Sequence, residues 1–257
     1  MSNRVINRMV FEQIRQLFLN YYTGNETPEE LTREYAVDEY LMVVDMDGMP
    51  SRPTQLMLDQ YHDLVHRHPA FGRWFREDTL REGEHTGAPV LLAARWLCHL
   101  IGLRHGTVEI FIDPPGEAGQ TYVQVRGMDK FEAPGAFDIP CAGHISGTDG
   151  YEESLRKELG EELNLRLEDL DGLCMVERYN SFGEEHGDGP INNEHRVLYQ
   201  ARLKPDAAAR IRFVDGEVAG LSIFSVPELR ELVKRYPDRV ASGLSDALGY
   251  YKGRKGA

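Results

Sequence analysis

The chain of 257 residues has few cysteines, no long apolar run and no excess of basic residues. Its three cysteines, Cys98, Cys141 and Cys174, are far apart and form no C-x-x-C pair. This spacing argues against a zinc site and favours reduced, mostly buried thiols. No apolar run reaches the roughly 18 residues that a membrane span requires, so we expect no membrane partner.

The chain also lacks the positive charge that is typical of nucleic-acid-binding proteins. Its 42 acidic residues outnumber 29 basic ones, and the net charge is -13. Such a protein repels phosphate backbones at long range, so we expect no nucleic-acid partner. A small phosphorylated substrate remains compatible, because a bound cation reverses the local sign. The first residues mix polar and apolar types and resemble no secretory signal, so we expect a cytoplasmic protein.

Hydrophobic periodicity divides the chain into a mainly helical N-terminal extension, residues 1–100, and a mixed α+β domain, residues 101–257. In the extension it predicts a short strand near residues 39–46, followed by a turn, and helices over residues 4–22, 54–68 and 89–103. In the domain it predicts helices over residues 151–163, 227–235 and 239–250. It predicts strands over residues 107–112, 121–126, 139–145, 173–182, 195–203 and 221–224, of which the first two form a hairpin.

A glutamate-rich helix carries the clearest chemistry in the sequence. Three leucines recur every four residues and form its buried stripe: Leu155, Leu159 and Leu163. Three glutamates at spacings of three and four share another face: Glu158, Glu161 and Glu162. Crowded carboxylates repel one another unless a cation lies between them, and Mg²⁺ or Mn²⁺ prefers such oxygens. Many glutamate-rich helices are nevertheless only solvated surfaces, so the helix alone does not decide.

The residues around this helix, 141–165, resemble the Nudix box, G-x5-E-x7-R-E-U-x-E-E-x-G-U, in which U is aliphatic. The spacing is kept throughout, with Gly143 at the opening glycine and the three glutamates at the metal-binding acids. Three positions depart from the pattern: Asp149 replaces Glu, Lys157 replaces Arg and Asn164 replaces Gly. Asn tolerates the left-handed conformation that the helix-ending Gly supplies.

The likeness extends over about residues 105–230 and points to one branch of the Nudix superfamily, which includes isopentenyl-diphosphate isomerase. Upstream of the box this branch shows a His before the first strand, then an Arg, a Lys, a P-G pair, an Asp and an A-G-H triplet. The matching positions are His105, Arg126, Lys130, Pro134, Gly135, Asp138 and Ala142-Gly143-His144. The resemblance implies an α/β/α sandwich with a mixed sheet.

The same resemblance implies roles for individual residues. Glu158, Glu161, Glu162 and the carbonyl of Ala142 would bind Mg²⁺ or Mn²⁺, and Arg126 and Lys130 would hold a substrate phosphate. Gly143, Asp149 and Lys157 would brace the loop against the helix. The activity implied is hydrolysis of a diphosphate linkage in a nucleoside-diphosphate-type or related small molecule.

The general base is open at this stage. Glu158 is the first choice to deprotonate water, with Glu161 as a second catalytic carboxylate on the same helix. A base on a distant loop is the other option, and four residues qualify: Glu184, Glu185, Glu194 and Glu217. The glycine-rich segment 183–190 is either a lid or a flexible turn.

Three other activities compete with hydrolysis. Isomerase chemistry in this branch needs a Cys just before the Gly-His pair, where this chain has Ala142; Cys141 is one position earlier, so on a strand it faces the other side. A non-catalytic binding module would keep the fold without turnover. The pair His62 and His66 has the spacing of a zinc protease, but Asp63 replaces the required Glu.

The N-terminal extension could cap the site, form a homodimer interface or bind another partner.

Overall fold

The computed structural model of the protein describes residues 39–49, 66, 74–81, 86–116, 119–130, 132–184, 191–213, 216–251 and 253. The chain forms two compact units. The first comprises Met1–Gly106, Ile145–Gly150 and Asn180–His195, and the second comprises Thr107–His144, Tyr151–Tyr179 and Arg196–Ala257. In the described part, no helix is long and apolar enough to cross a membrane.

The described part of the first unit contains a small antiparallel sheet in the order β1-β3-β2. Its strands are β1 (Tyr40–Met42), β2 (Phe75–Thr79) and β3 (Pro89–Ala94), and helix α1 (Arg95–Ile101) follows β3 directly. Five buried residues form the core: Leu41, Val43, Leu91, Ala93 and Cys98. The expected strand near residues 39–46, with its turn, is therefore confirmed.

The expectation of a mainly helical extension is wrong for this described part. Residues 89–103 were expected to be one helix, but the first six form the central strand β3, which pairs on both sides. An apolar run of this length fits a buried strand as well as a helix, and two sets of sheet hydrogen bonds outweigh local helix preference. The predicted helices over residues 4–22 and 54–68 lie outside the described residues, apart from His66.

The second unit is built around strands of two sheets. The four-stranded sheet has the order β7-β4-β9-β8, and the three-stranded sheet has the order β10-β5-β6. The strands are β4 (His105–Asp113), β5 (Gln120–Arg126), β6 (Phe137–Asp138), β7 (Cys141–His144), β8 (Leu170–Glu184), β9 (Ile191–Leu203) and β10 (Val218–Ser225). The first residues of β4 and β9 and the last residues of β8 belong to the first unit. The hairpin predicted for residues 107–112 and 121–126 is wrong, because the corresponding strands, β4 and β5, belong to different sheets.

Helix α2 (Tyr151–Leu163) has the predicted bounds and packs against β7. Its leucine stripe is buried, with Leu155 and Leu159 at 0% exposure. Asn164 ends the helix in the left-handed conformation, with φ of 56°, as expected for a residue in place of the helix-ending glycine.

The other face of the four-stranded sheet packs against the three-stranded sheet and the C-terminal helices α3 (Val226–Arg235) and α4 (Ser242–Ala247). Ser225 caps α3 by accepting from the Glu228 N–H, and the Glu228 carboxylate accepts from the Ser225 N–H. Helix α4 is shorter than the predicted 239–250. It begins later because Val240 pairs with Phe137 of β6, which holds the chain extended just before the helix.

Candidate metal centre

The site is built where strand β7 runs beneath helix α2. A Cβ atom added to Gly143 would overlap the Glu158 carboxylate, so this carboxylate lies directly on the glycine. One helical turn later, Glu162 accepts a hydrogen bond from the Cys141 thiol. Four residues of a helix and two residues of a strand both advance about 6–7 Å. Each of the two glutamates therefore lies opposite one of the two strand residues. The absence of a side chain at Gly143 thus sets how closely α2 approaches β7.

Glu162 is the most deeply buried carboxylate of this helix. It is 3% exposed, and its Oε2 atom has no hydrogen-bond partner among the described residues. Burial and the neighbouring Glu158 carboxylate raise the pKa of Glu162 well above its usual range, and Glu217 adds to the effect. A buried carboxylate oxygen without a partner is unfavourable unless a cation or donor joins it.

Lys130 and Glu217 lie beside this carboxylate. They form an ion pair with each other, and both act electrostatically on Glu162, Lys130 lowering its pKa and Glu217 raising it. The Gly127 N–H donates to the Glu217 carbonyl over 2.7 Å, which ties the loop after β5 to the start of β10. The centre therefore has three carboxylates, Glu158, Glu162 and Glu217, and one ammonium.

The residues present fit a hard divalent cation. The donor set is made of carboxylate oxygens, which Mg²⁺ and Mn²⁺ prefer. The Oε2 atom of Glu162, which has no partner among the described residues, is available as a ligand for such a cation. The Glu158 carboxylate lies against Gly143 on the same face of the helix. The surplus of carboxylates over ammonium groups at this centre gives a cation a further electrostatic reason to bind.

Comparison with known proteins assigns the chain to a family. The NUDIX domain profile matches residues 104–242, which is more than half of the chain. The chain belongs to the Nudix family. It is 26% identical to an isopentenyl-diphosphate Delta-isomerase of Burkholderia multivorans over 151 residues, covering 58% of this chain and 78% of that protein.

Two further proteins are similar to this chain. An isopentenyl-diphosphate Delta-isomerase of Dinoroseobacter shibae is 28% identical over 157 residues, covering 61% of this chain and 84% of that protein. Among solved structures, DR0079 from Deinococcus radiodurans matches with a TM-score of 0.45 and 19% identity, covering 57% of this chain and 83% of that one.

The structure places the remaining Nudix-box residues at different depths. Glu158 is half-buried, whereas Glu161 and Lys157 are on the exposed side of α2. Asp149 belongs to the first unit, where its backbone N–H donates to the Ser146 carbonyl. Bracing of the loop by Asp149 and Lys157 therefore stays a prediction, as does the metal-binding role of Glu161.

The two residues expected to hold phosphate both have partners within the chain. Arg126 donates to Asp138 Oδ2 over 2.6 Å and to the Glu132 carbonyl over 3.1 Å, and Lys130 pairs with Glu217. Of these two residues, Lys130 is close enough to act electrostatically on Glu162. A role in phosphate binding would require these ion pairs to open or to be shared, and it stays a prediction for both residues.

The candidate bases on distant loops also differ in placement. Glu217 is at the carboxylate centre, whereas Glu194 belongs to the first unit, where one of its oxygens is 3.7 Å from His105 Nε2. Glu184 ends strand β8. Glu185, most of segment 183–190 and His62 lie outside the described residues, and His66 is exposed.

Sequence reasoning missed a buried polar network on the opposite face of the sheet. Glu109 on β4 accepts from Arg196 of β9 over 3.0 Å and from the Tyr179 hydroxyl of β8 over 2.5 Å. Glu109 and Arg196 are 3% and 4% exposed. The signal was a charged residue inside each apolar strand pattern, TVEIFI and HRVLY, but its partner could not be found without the strand order.

Proposed function

We propose that this protein is a Mg²⁺- or Mn²⁺-dependent Nudix hydrolase that cleaves a diphosphate linkage in a nucleoside-diphosphate-type or related small substrate. The main support is Glu162, a buried carboxylate with one oxygen that has no partner in the described part of the chain. It lies next to Glu158 in a box whose three acids are all kept. A purely structural helix would gain nothing from burying a carboxylate in this way.

Glu158, Glu161, Glu162 and the Ala142 carbonyl would hold the cation, which supplies charge neutralisation on phosphate oxygens and a more acidic water. Glu158 is half-buried and its carboxylate lies on Gly143, which limits its motion and suits it to take a proton from water. Among the distant candidates, Glu217 is favoured because it is beside Glu162. Lys130 would exchange Glu217 for a substrate phosphate, and Arg126 would support the same group.

An isomerase is the second candidate, because the curated relatives reported above carry that name. Two observations weigh against it. Ala142 holds the position before Gly143-His144, and it packs partly buried against the core on the α3 and α4 side of the sheet. Cys141 faces the other way, towards Glu162 of α2. A thiol at 141 therefore cannot substitute for one at 142 without turning the strand over.

The test is a phosphate-release screen with Mg²⁺ or Mn²⁺ over nucleoside diphosphate sugars, dinucleoside polyphosphates, NADH, coenzyme A and isoprenoid diphosphates. On a cleaved substrate, Glu162→Gln should lose at least about 100-fold in kcat/KM, because several kcal/mol of charge stabilisation are removed. Glu152→Gln, an exposed glutamate of the same helix, is the matched control and should keep full activity.

Three outcomes would contradict the proposal. Full turnover by Glu162→Gln would remove the metal centre from the reaction. Conversion of isopentenyl diphosphate to its dimethylallyl isomer would establish the isomerase instead. Ligand binding without release of phosphate from any substrate would indicate a binding module.

A further inference from the structure

We propose that Cys141 forms, together with Glu162 and Glu158, a second coordination mode of this centre, which takes a thiophilic divalent cation of the Zn²⁺ or Cd²⁺ class. The Nudix box ascribes no role to this cysteine, which precedes the box glycine by two residues. The inference rests on the proposed function in one respect: Glu158 and Glu162 are taken as cation-binding carboxylates.

The positions of the donor groups follow from the register of β7 and α2. Gly143 and Cys141 are two residues apart on a strand, so they share one face. Glu158 and Glu162 are four apart on a helix, so they also share one face. Since the Glu158 carboxylate lies on Gly143, the Glu162 carboxylate must lie over Cys141, and the thiol does donate a hydrogen bond to it. The register of the strand and the helix therefore places the Cys141 sulfur next to the Glu162 carboxylate oxygens.

The separation of these donors suits a tetrahedral cation. With Zn–S near 2.3 Å and Zn–O near 2.0–2.2 Å, a sulfur and an oxygen on one zinc lie about 3.5 Å apart, which is a hydrogen-bonding distance for a thiol. A cation can thus replace the thiol proton without a large movement of either group. Glu162 also offers its partnerless, buried Oε2, and Cys141 itself is 0% exposed.

The electrostatic balance favours the same exchange. The thiolate, Glu158, Glu162 and Glu217 would together carry four negative charges against a divalent cation and the Lys130 ammonium, which leaves one negative charge in excess. Binding releases one proton from the thiol to solvent, so sulfur is neither oxidised nor reduced. Mg²⁺ avoids sulfur, whereas Zn²⁺ and Cd²⁺ bind it readily. The two coordination modes share Glu162 and therefore exclude each other.

The direct test is titration of the metal-free full chain with Cd²⁺, monitored by the ultraviolet sulfur-to-cadmium charge-transfer band. The wild type should show the band at about one cation per chain, and Cys141→Ser should lose it. Cys174→Ser is the matched control, because Cys174 is exposed and should not contribute at low Cd²⁺. Glu162→Gln should keep the thiol but weaken Cd²⁺ binding about 10-fold or more, as expected for loss of one ligand.

The outcomes separate this inference from the hydrolase proposal. A band that survives in Cys141→Ser, or that depends on Cys174, would overturn the coordination mode whatever the enzyme does. Loss of the band in Cys141→Ser without any Mg²⁺-dependent turnover would support the thiol mode and contradict the hydrolase. Where turnover exists, Zn²⁺ should inhibit the wild type at about 10-fold lower concentration than Cys141→Ala, an apolar variant suited to the buried position. Equal inhibition of both would contradict the shared-ligand mode.

Discussion

Two glutamates in the second unit are buried equally, at 3% exposure, yet their surroundings are opposite. Glu109 accepts from Arg196 and from Tyr179, so each of its oxygens has a strong donor. Glu162 has an oxygen that finds no hydrogen-bond partner among the described residues, and two further carboxylates act on it. Burial of a charge is tolerated when it is paired. This difference is what we expect if Glu109 stabilises the fold and Glu162 binds a cation, as we propose.

The largest effect should come from breaking the ion pair between Glu109 and Arg196. Arg196→Met leaves Glu109 buried without its cation and should lower the free energy of unfolding by about 3–5 kcal/mol. Denaturant unfolding measures this free energy. Arg239 is exposed, so the control variant Arg239→Met should change the free energy of unfolding by no more than about 0.5 kcal/mol. The double variant Glu109→Gln/Arg196→Met should recover part of the loss. A neutral Arg196→Met would show that the pair does not stabilise the fold.

For Glu162, the free energy of unfolding should depend on bound metal rather than on a contact within the protein. Mg²⁺ at about 100 times its Kd should stabilise the wild type by about 2.7 kcal/mol. Glu162→Gln should lose most of that gain, while its metal-free stability stays equal or rises, because a neutral amide is less costly to bury. Thermal unfolding with and without Mg²⁺ checks both parts. Destabilisation of the metal-free variant would place Glu162 in the same structural class as Glu109.

Gly143→Ala should disturb the close approach of α2 to β7. Its Cβ would overlap the Glu158 carboxylate, and such overpacking costs about 1–3 kcal/mol. Because the displaced group is catalytic in our proposal, turnover should fall more than stability does. An added Cβ at Gly160 of the same helix would make only an ordinary van der Waals contact, 3.9 Å from the Leu165 carbonyl oxygen, so Gly160→Ala should instead stabilise by up to about 1 kcal/mol. Unchanged turnover in Gly143→Ala would argue against a fixed Glu158.

The smallest effect concerns the hydroxyl that completes the Glu109 pair. Tyr179→Phe should cost about 1.5 kcal/mol, since one donor to a charged group is removed. Burial, followed by the Glu109 carboxylate, raises the pKa of Tyr179 above its ordinary value of 10.0. The neutral phenol is therefore favoured in the folded state: its contribution is fully present below about pH 10 and is lost only as pH rises beyond that. Burial also raises the pKa of Tyr122 and Tyr199, so ultraviolet titration should show several tyrosines ionising late, and this late phase should lose the amplitude of one tyrosine in Tyr179→Phe.

Local patterns in the sequence were sufficient for the helix and most strands of the Nudix region. The four-residue repeat of leucines located α2 at Tyr151–Leu163, and Asn164 was expected to end it in the left-handed conformation, as it does. These features depend on neighbours within about one helical turn, so periodicity and single-residue conformational preference decide them. The spacing of the box also brought out Glu158, Glu161 and Glu162 as one group.

Strand pairing, depth and partnership were decided only by the tertiary structure. Residues 89–94 became a strand because β1 and β2 pair with them, although β1 is far away in the sequence. Strands β4 and β5 joined different sheets, although they follow each other in the sequence. The unequal surroundings of Glu109 and Glu162 likewise depend on residues up to 87 positions away. Long-range contacts of this kind leave no local pattern, because a glutamate next to apolar residues looks the same whether its partner is an arginine or a metal ion.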